Sequence, residues 1–387
     1  MGYDLTQQDL HDLAEGAAVL GTGGGGDPYI GRLLVERELA AGRRVRVIGA
    51  DELPEGALVL PSSMMGAPTV FVEKLPSGGG NAAAFRALEE HLGRTAYAVM
   101  PTECGGLNSM IPLMLGAQLG LPVVDADGMG RAFPELQMQT FGVLGVSGSP
   151  MAIASDHGDT CVIQAAGNKR MEQLARALTI QMGGASYISD YPMETAEVRR
   201  TSVHGTLSLC RDIGRTLRRA RQEHADPFAA LTAMLTGTIY SHGVVLFQGK
   251  VIDVERRTID GFARGRAVLA ALDAPDDLLE ITFQNEHLVA RRDGRVVAIV
   301  PDLICTLDTG TGAPVPTESL AYGQRLTVYG ISTPAIMRTP GALACFGPAG
   351  FGLSDPYTPL EDLNLAATGS GRQASQDSGP PAPARWA

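Results

Sequence analysis

The stretch that most limits what this chain can fold into is 21-GTGGGGDPYIG-31. Gly23, Gly24, Gly25 and Gly26 run straight into Asp27 and Pro28. A residue without a Cβ admits backbone conformations and close approaches that are closed to others. Asp27 has the chemistry of an N-cap, and proline suits the first helical position, where its missing N–H costs nothing. The spacing therefore predicts a loop that empties into a helix from Pro28, with Ile30, Leu33 and Leu34 on its apolar face. Free N–H groups and the positive end of the helix dipole gather at such a point, which suits an anion, a carboxylate or a polarised carbonyl.

Other glycine loops offer alternatives. No Gly-Lys-Ser/Thr ending follows, which argues against nucleoside triphosphate hydrolysis. Gly21, Gly23 and Gly26 match the G-x-G-x-x-G spacing of dinucleotide-binding folds, but that fingerprint needs a strand before the glycines. Residues Thr6 to Leu20 read as a helix, started by Thr6 and Asp9, with Leu10, Leu13, Ala14, Ala17 and Ala18 on one face. A short strand over residues 17–20, with Asp51 placed to meet a ribose, is the dinucleotide alternative. A loop that only lets two helices pack closely is the bland one.

A chain of 387 residues exceeds one ordinary core and suggests two domains. Strands at 44–50, 57–63, 96–100 and 121–125 alternate with helices at about 81–91 and 107–119. That order predicts an N-terminal layered α/β domain with a largely parallel sheet over residues 6–182. A helix over about 169–182 closes it, and a helix over 204–227 carries a basic outer face of the kind that is usually solvated. From Gly243 the runs 243–255, 278–290, 295–307 and 325–331 favour β-structure, and Asp293-Gly294 signals a tight turn. A β-rich C-terminal domain over 185–365 follows, then a Gly/Ser/Pro-rich tail, 368–387, expected to be disordered.

The net charge of −11 argues against a nucleic-acid partner. No apolar run is long enough to span a bilayer, and no basic-then-apolar leader is seen, so no membrane role is expected. The five cysteines are scattered without a CxxC pair, which fits a reducing cytoplasm. A small-molecule substrate is the expected partner, and self-association into a homo-oligomer stays open.

Ligands of parallel sheets collect at the carboxyl ends of the strands. The loops starting at Ser62, Pro101 and Asp125 are thus expected to share one crevice with the glycine loop. Met64 and Met65 lie on the first, and Glu103, Cys104 and Asn108 on the second. Cys104 precedes a helix, where a thiolate is stabilised, so it is a candidate nucleophile; a small buried residue is the alternative. Asp125 and Asp127 are two apart at a strand end and are expected to point the same way, able to act as acid and base or to cap a turn. The cofactor remains unknown, since a divalent metal is compatible with such carboxylates but no ligand motif indicates one. Asn285 and Glu286 interrupt a strand pattern, either facing water at an edge or closing the crevice from the opposite side.

Together the segments GTGGGGDPYIG, MMGAPTVFVEKLPSG, PTECGGLNS, LPVVDADGMGRAFPELQM, LFQGKVIDVERR, FQNEHL and VPDLICTLD resemble the S-methyl thiohydantoin desulfurase-like family. The likeness runs from about Leu10 to Pro359, and many family members are known from the neighbourhood of hydantoinase and oxoprolinase genes. The resemblance implies hydrolytic removal of sulfur from a thiohydantoin-type ring to leave a hydantoin. The expected site combines Glu103, Cys104, Asp125 and Asp127 as catalytic residues with amides of Gly23, Gly24, Gly25 and Gly26. Asp27, Met64, Met65, Asn108, Asn285 and Glu286 are expected to bind substrate. A non-catalytic, small-acid-binding subunit of a hydantoinase-type assembly is the runner-up, ahead of a dinucleotide-dependent oxidoreductase.

Overall fold

The computed structural model describes residues 2–66, 70, 78–259 and 262–369, with side chains to Asn364. The expected turn at 77–81 is described from Gly78 on, and the tail beyond Gly369 lies outside the described residues.

The first helix, Gln7–Leu20, starts as the sequence predicts. Thr6 Oγ1 accepts the Asp9 N–H at 3.1 Å, and the Asp9 carboxylate accepts the Thr6 N–H at 3.2 Å, a reciprocal cap. Because a helix and not a strand precedes the glycines, the dinucleotide fingerprint lacks its required context. Asp51, the residue that alternative needs, is exposed on a short 3-10 turn.

This helix packs against Thr206–Glu223 at very close range. A Cβ on Gly16 would lie 1.8 Å from the Cys210 carbonyl oxygen, and one on Gly214 would lie 1.9 Å from that of Asp12. The basic face read as solvated is instead paired across this contact. Arg215, Arg218 and Arg221 meet Asp9, Asp12 and Glu15 at 2.9, 2.7 and 2.6 Å. Acids at every third position of one helix match arginines at every third position of the other, which one segment alone does not reveal.

The large sheet has a parallel centre: Arg46–Ile48, Val123–Val124, Ala98–Pro101 and Leu58–Gly66, in that order. Antiparallel strands flank it, with Tyr3–Asp4 beyond one edge and Ala185–Ser189, Met151–Ala154 and Thr160–Ile163 beyond the other. Strand Leu58–Gly66 is buried along nearly its whole length, as a central strand covered on both faces should be. The boundary expected at 182–185 falls beside Ala185–Ser189, which belongs to this first sheet.

The second sheet is antiparallel and, among the described residues, has seven strands, ordered Arg295–Ile299, Glu286–Arg292, Leu278–Gln284, Phe262–Ala271, Gly243–Ile259, Arg325–Ile331 and Leu303–Asp308. Asp293 and Gly294 turn as expected, both with positive φ, 48° and 78°. The run 278–290 is not one strand, however. Asn285 takes φ 59° and reverses the chain, so Leu278–Gln284 and Glu286–Arg292 form a hairpin. Asparagine tolerates the left-handed region better than most residues, which is why the reversal sits there. The tip of that hairpin reaches the glycine loop of the first sheet's domain.

Candidate active site

The glycine loop is gripped from both sides. His287 N–H donates to the Thr22 carbonyl at 2.8 Å, and Thr317 N–H donates to that of Gly23 at 2.7 Å. From the α/β side, Leu107 N–H donates to the Gly25 carbonyl at 2.9 Å. The hairpin approaches so closely that a Cβ on Gly24 would lie 2.3 Å from Glu286 Oε1, and one on Gly23 would lie 2.5 Å from the His287 ring. The Gly25 N–H donates to Glu286 Oε1 at 3.1 Å. Gly26 opens onto the same cleft, beside the N-terminus of helix Pro28–Ala40, and its N–H has no acceptor among the described residues.

Opposite the loop stands Glu103, 6% exposed. Asn108 Nδ2 donates to its Oε1 at 2.7 Å, and the Phe133 N–H reaches Oε2 at 3.4 Å. Asn108 is itself fixed by strand Leu58–Gly66, since Met64 N–H donates to Oδ1 at 2.8 Å and Nδ2 donates to the Met64 carbonyl at 3.1 Å. Burial pushes the Glu103 carboxyl well above the usual carboxylate range, and the charge of Glu286 adds to the rise. Glu286 is also buried, which lifts it to about 7, with Arg131 and the Gly25 N–H opposing the rise. Its Oε2 has no partner among the described residues.

Arg131 is wholly enclosed and donates to the carbonyls of Ala132, Pro301, Asp302 and His287 at 3.0 to 3.2 Å. Burial lowers it to about 10, which still leaves a cation at neutral pH. His287 Nδ1 lies 2.7 Å from the Ile304 carbonyl, which assigns the proton to Nδ1 and leaves Nε2 as a bare lone pair. Burial holds this ring down to about 4, so it is neutral. The Arg131 charge thus acts on Glu286, while the neutral His287 ring packs against Gly23.

Met64, Met65, Met129, Phe133 and Leu136 give the cleft apolar walls, and Asn285 lies beside Glu286 at its edge. The structure therefore brings together Gly25, Gly26, Met64, Met65, Glu103, Asn108, Asn285 and Glu286. It assigns the other candidates elsewhere. Asp125 Oδ1 accepts the Leu207 and Ser208 N–H groups at 2.8 and 3.1 Å, so this carboxylate caps the helix Thr206–Glu223. Asp127 Oδ2 accepts the N–H groups of Cys104, Met129 and Gly130 at 2.8, 3.2 and 2.8 Å, so it ties two loops together behind the cleft. Their carboxylates do not work as a pair, because each is committed to different backbone donors.

Cys104 is fully enclosed against Cys210 and outside the cleft lining, and burial pushes its thiol well up, away from the reactive thiolate. Gly23 is turned to His287 and Thr317, while Gly24 and Asp27 line the outer side of the loop with His11 and Arg32. Asp27 caps the second helix, accepting the Tyr29 N–H at 2.8 Å. Asp302 accepts from Thr333, Tyr357 and Leu360 and pairs with Arg338, a purely internal tie. No group of three or more His, Cys, Asp or Glu among the described residues could hold a metal ion.

Sequence reasoning passed over Arg131, His287 and Arg176, which also lines the cleft. The available signal was the acidic and basic residues inside apolar strand or turn segments, which must be paired or functional when buried. The arrangement as a whole offers two buried carboxyls that burial raises, Glu286 to about 7, with backbone donors beside both. Carboxyls whose surroundings push their pKa values apart let one site supply an acid and a base at the same pH.

Similarity to known proteins agrees with this architecture. The profile of the S-Me-THD-like N-terminal domain matches residues 8–165, and that of the S-Me-THD-like C-terminal domain matches residues 166–360. A crystal structure of a protein from Chromobacterium violaceum superposes with a TM-score of 0.76 at 25% identity, covering 92% of this chain and 100% of that one. No curated protein matches. With its two domain profiles adjoining along the chain, this protein belongs to the S-Me-THD-like family.

Proposed function

We propose that this protein is a hydrolase that cleaves the carbon–sulfur bond of a thiohydantoin-type ring and leaves a hydantoin. Membership of the S-Me-THD-like family supports the substrate class. The observation that carries the chemistry is the placing of Glu103 and Glu286, from different domains, on one cleft where burial raises both carboxyls. Glu286 is the base and Glu103 the acid. Burial favours the protonated form of Glu103, which suits the acid.

For an S-methyl ring, Glu286 takes a proton from water as the carbon–oxygen bond forms. The electron pair of the carbon–nitrogen double bond moves onto the ring nitrogen, which receives that proton. Collapse of the tetrahedral intermediate breaks the carbon–sulfur bond, and Glu103 protonates the departing methanethiolate. The remaining hydroxyl proton returns to Glu103 as the carbonyl forms. The Gly26 N–H, which has no acceptor among the described residues, is the donor this reading assigns to negative charge that develops during addition. Apolar walls of methionine and phenylalanine suit a flat ring and a soft sulfur leaving group. The free cysteines fit a reducing compartment, and the cytoplasm is the natural one; no helix among the described residues is long and apolar enough to cross a membrane.

The test is thiol release from S-methyl thiohydantoins by purified protein. Glu103→Gln and Glu286→Gln should each lower kcat by roughly 10²- to 10⁴-fold. The rate at low substrate should climb as pH rises through about 7, where Glu286 loses its proton, and fall again once Glu103 ionises. Absence of thiol release across a panel of such rings would sink the reading.

A further inference from the structure

Three of the buried side-chain atoms without a partner among the described residues belong to residues that line the cleft: Glu286 Oε2, Ser63 Oγ and Thr102 Oγ1. The first is part of the carboxylate already described. The two hydroxyls stand on adjacent strands. Leu58–Gly66 runs parallel to Ala98–Pro101 with Ser62 beside Pro101, so the next step along both chains sets Ser63 beside Thr102. Strands paired in this way lie about 4.8 Å apart. Ser63 is 1% and Thr102 2% exposed, at the carboxyl ends of two central parallel strands, where ligands of such sheets collect.

Neighbouring hydroxyls of the same sheet are spent. Ser62 donates to the Ile188 carbonyl at 3.3 Å, and Ser189 donates to the Pro61 carbonyl at 2.8 Å. A buried hydroxyl without a partner costs free energy, so a pair of them lining one cleft marks a place where a ligand supplies the bonds. A thiohydantoin-type ring has one edge with two polar atoms, the amide carbonyl and the nitrogen between it and the sulfur-bearing carbon. That nitrogen carries a proton in one tautomer and a lone pair in the other. A hydroxyl serves either, because it donates or accepts as it rotates. Building on the desulfurase reading above, we propose that Ser63 and Thr102 hold this amide edge and so set how the sulfur-bearing carbon meets the two carboxyls.

Stability and binding test this together, without any turnover. Ser63→Ala and Thr102→Val each remove a hydroxyl that has no internal bond, so their melting temperatures should match or exceed the wild type. Each should weaken the binding of hydantoin, titrated by calorimetry, roughly 3- to 10-fold, and the double variant roughly 10- to 100-fold. Thr102→Ser keeps the hydroxyl and should bind nearly as the wild type does. The wild type should also reject 3-methylhydantoin, whose methyl group blocks the edge, and accept 1-methylhydantoin, which is methylated on the other nitrogen. Hydantoin binding unchanged in the double variant, stronger rejection of the 1-methyl ring, lowered melting temperatures in both single variants, or no hydantoin binding by the wild type overturns the proposal. Hydantoin binding that the double variant loses, in a protein that releases no thiol, upholds it and overturns the desulfurase reading instead.

Discussion

The hairpin tip around Asn285–His287 and the turn around 125-DADG-128 each bury an acid, yet they use it in opposite ways. Asp127 puts three backbone N–H groups on one oxygen, at 2.8 to 3.2 Å, and opens onto no cleft. Glu286 has the single Gly25 N–H and faces space that a small molecule can enter. Burial lifts both, Asp127 to about 6 and Glu286 to about 7. What separates a structural acid from a chemical one here is therefore not the shift but where the hydrogen-bonding capacity is spent. Each leaves one oxygen unpartnered among the described residues, Asp127 Oδ1 and Glu286 Oε2, but only Glu286 lines the cleft, where it can exchange a proton.

The largest expected effects should dissociate the two regions. Glu286→Gln keeps an oxygen for the Gly25 N–H, so its melting temperature should match or exceed the wild type while turnover falls by the roughly 10²- to 10⁴-fold given for a lost general base. Asp127→Ala leaves three enclosed N–H groups without an acceptor and should cost on the order of 3–6 kcal/mol. Urea melts and thiol-release rates on both variants check this. If Asp127→Ala keeps full stability and loses turnover, the contrast is wrong and Asp127 belongs to the chemistry.

The elements that could be read from the sequence are those held by neighbours along the chain. Thr6 with Asp9, Asp27 with Pro28, and Asp293 with Gly294 each form a local cap or turn, and each appears where the residues place it. The site is only partly legible because its bonds join distant segments. Glu286 meets Gly25 across 261 residues, and nothing near Glu286 in the sequence says whether that acid faces water or a glycine loop. Asn285 hid the hairpin, since a single residue with positive φ breaks a run of β-formers without altering its composition. Arg131 and Arg176 carry no periodic signal, because a buried arginine is justified only by the carbonyls and acids that surround it in space.

A smaller effect probes the position of Glu286 and leaves its chemistry intact. Gly24 is not among the glycines with positive φ, so alanine can adopt its backbone. The added Cβ would fall 2.3 Å from Glu286 Oε1, which must then swing away from the loop. Gly24→Ala should lower kcat by roughly tenfold or more, as displacements of about an ångström do, with little change in melting temperature. An unchanged kcat would mean that the carboxylate position beside the loop is immaterial, and the hairpin tip would then resemble the Asp127 turn after all.

The mildest test is the dependence of stability on pH. Glu286 sits at about 7 in the fold against an ordinary value of 4.5, so the folded protein holds this proton where the unfolded chain has released it. The favourable contribution is complete below pH 4.5 and is lost as pH rises through about 7. Glu103 shifts in the same direction through burial, as does Asp127, so the wild-type melting temperature should drop by several degrees, roughly, between pH 5 and pH 8. In Glu286→Gln, part of that slope should vanish, because an amide has no proton to lose in this window. A slope identical to the wild type would mean that Glu286 is already ionised at pH 5, and then it could not gather a proton from water near neutrality as a base tuned by burial.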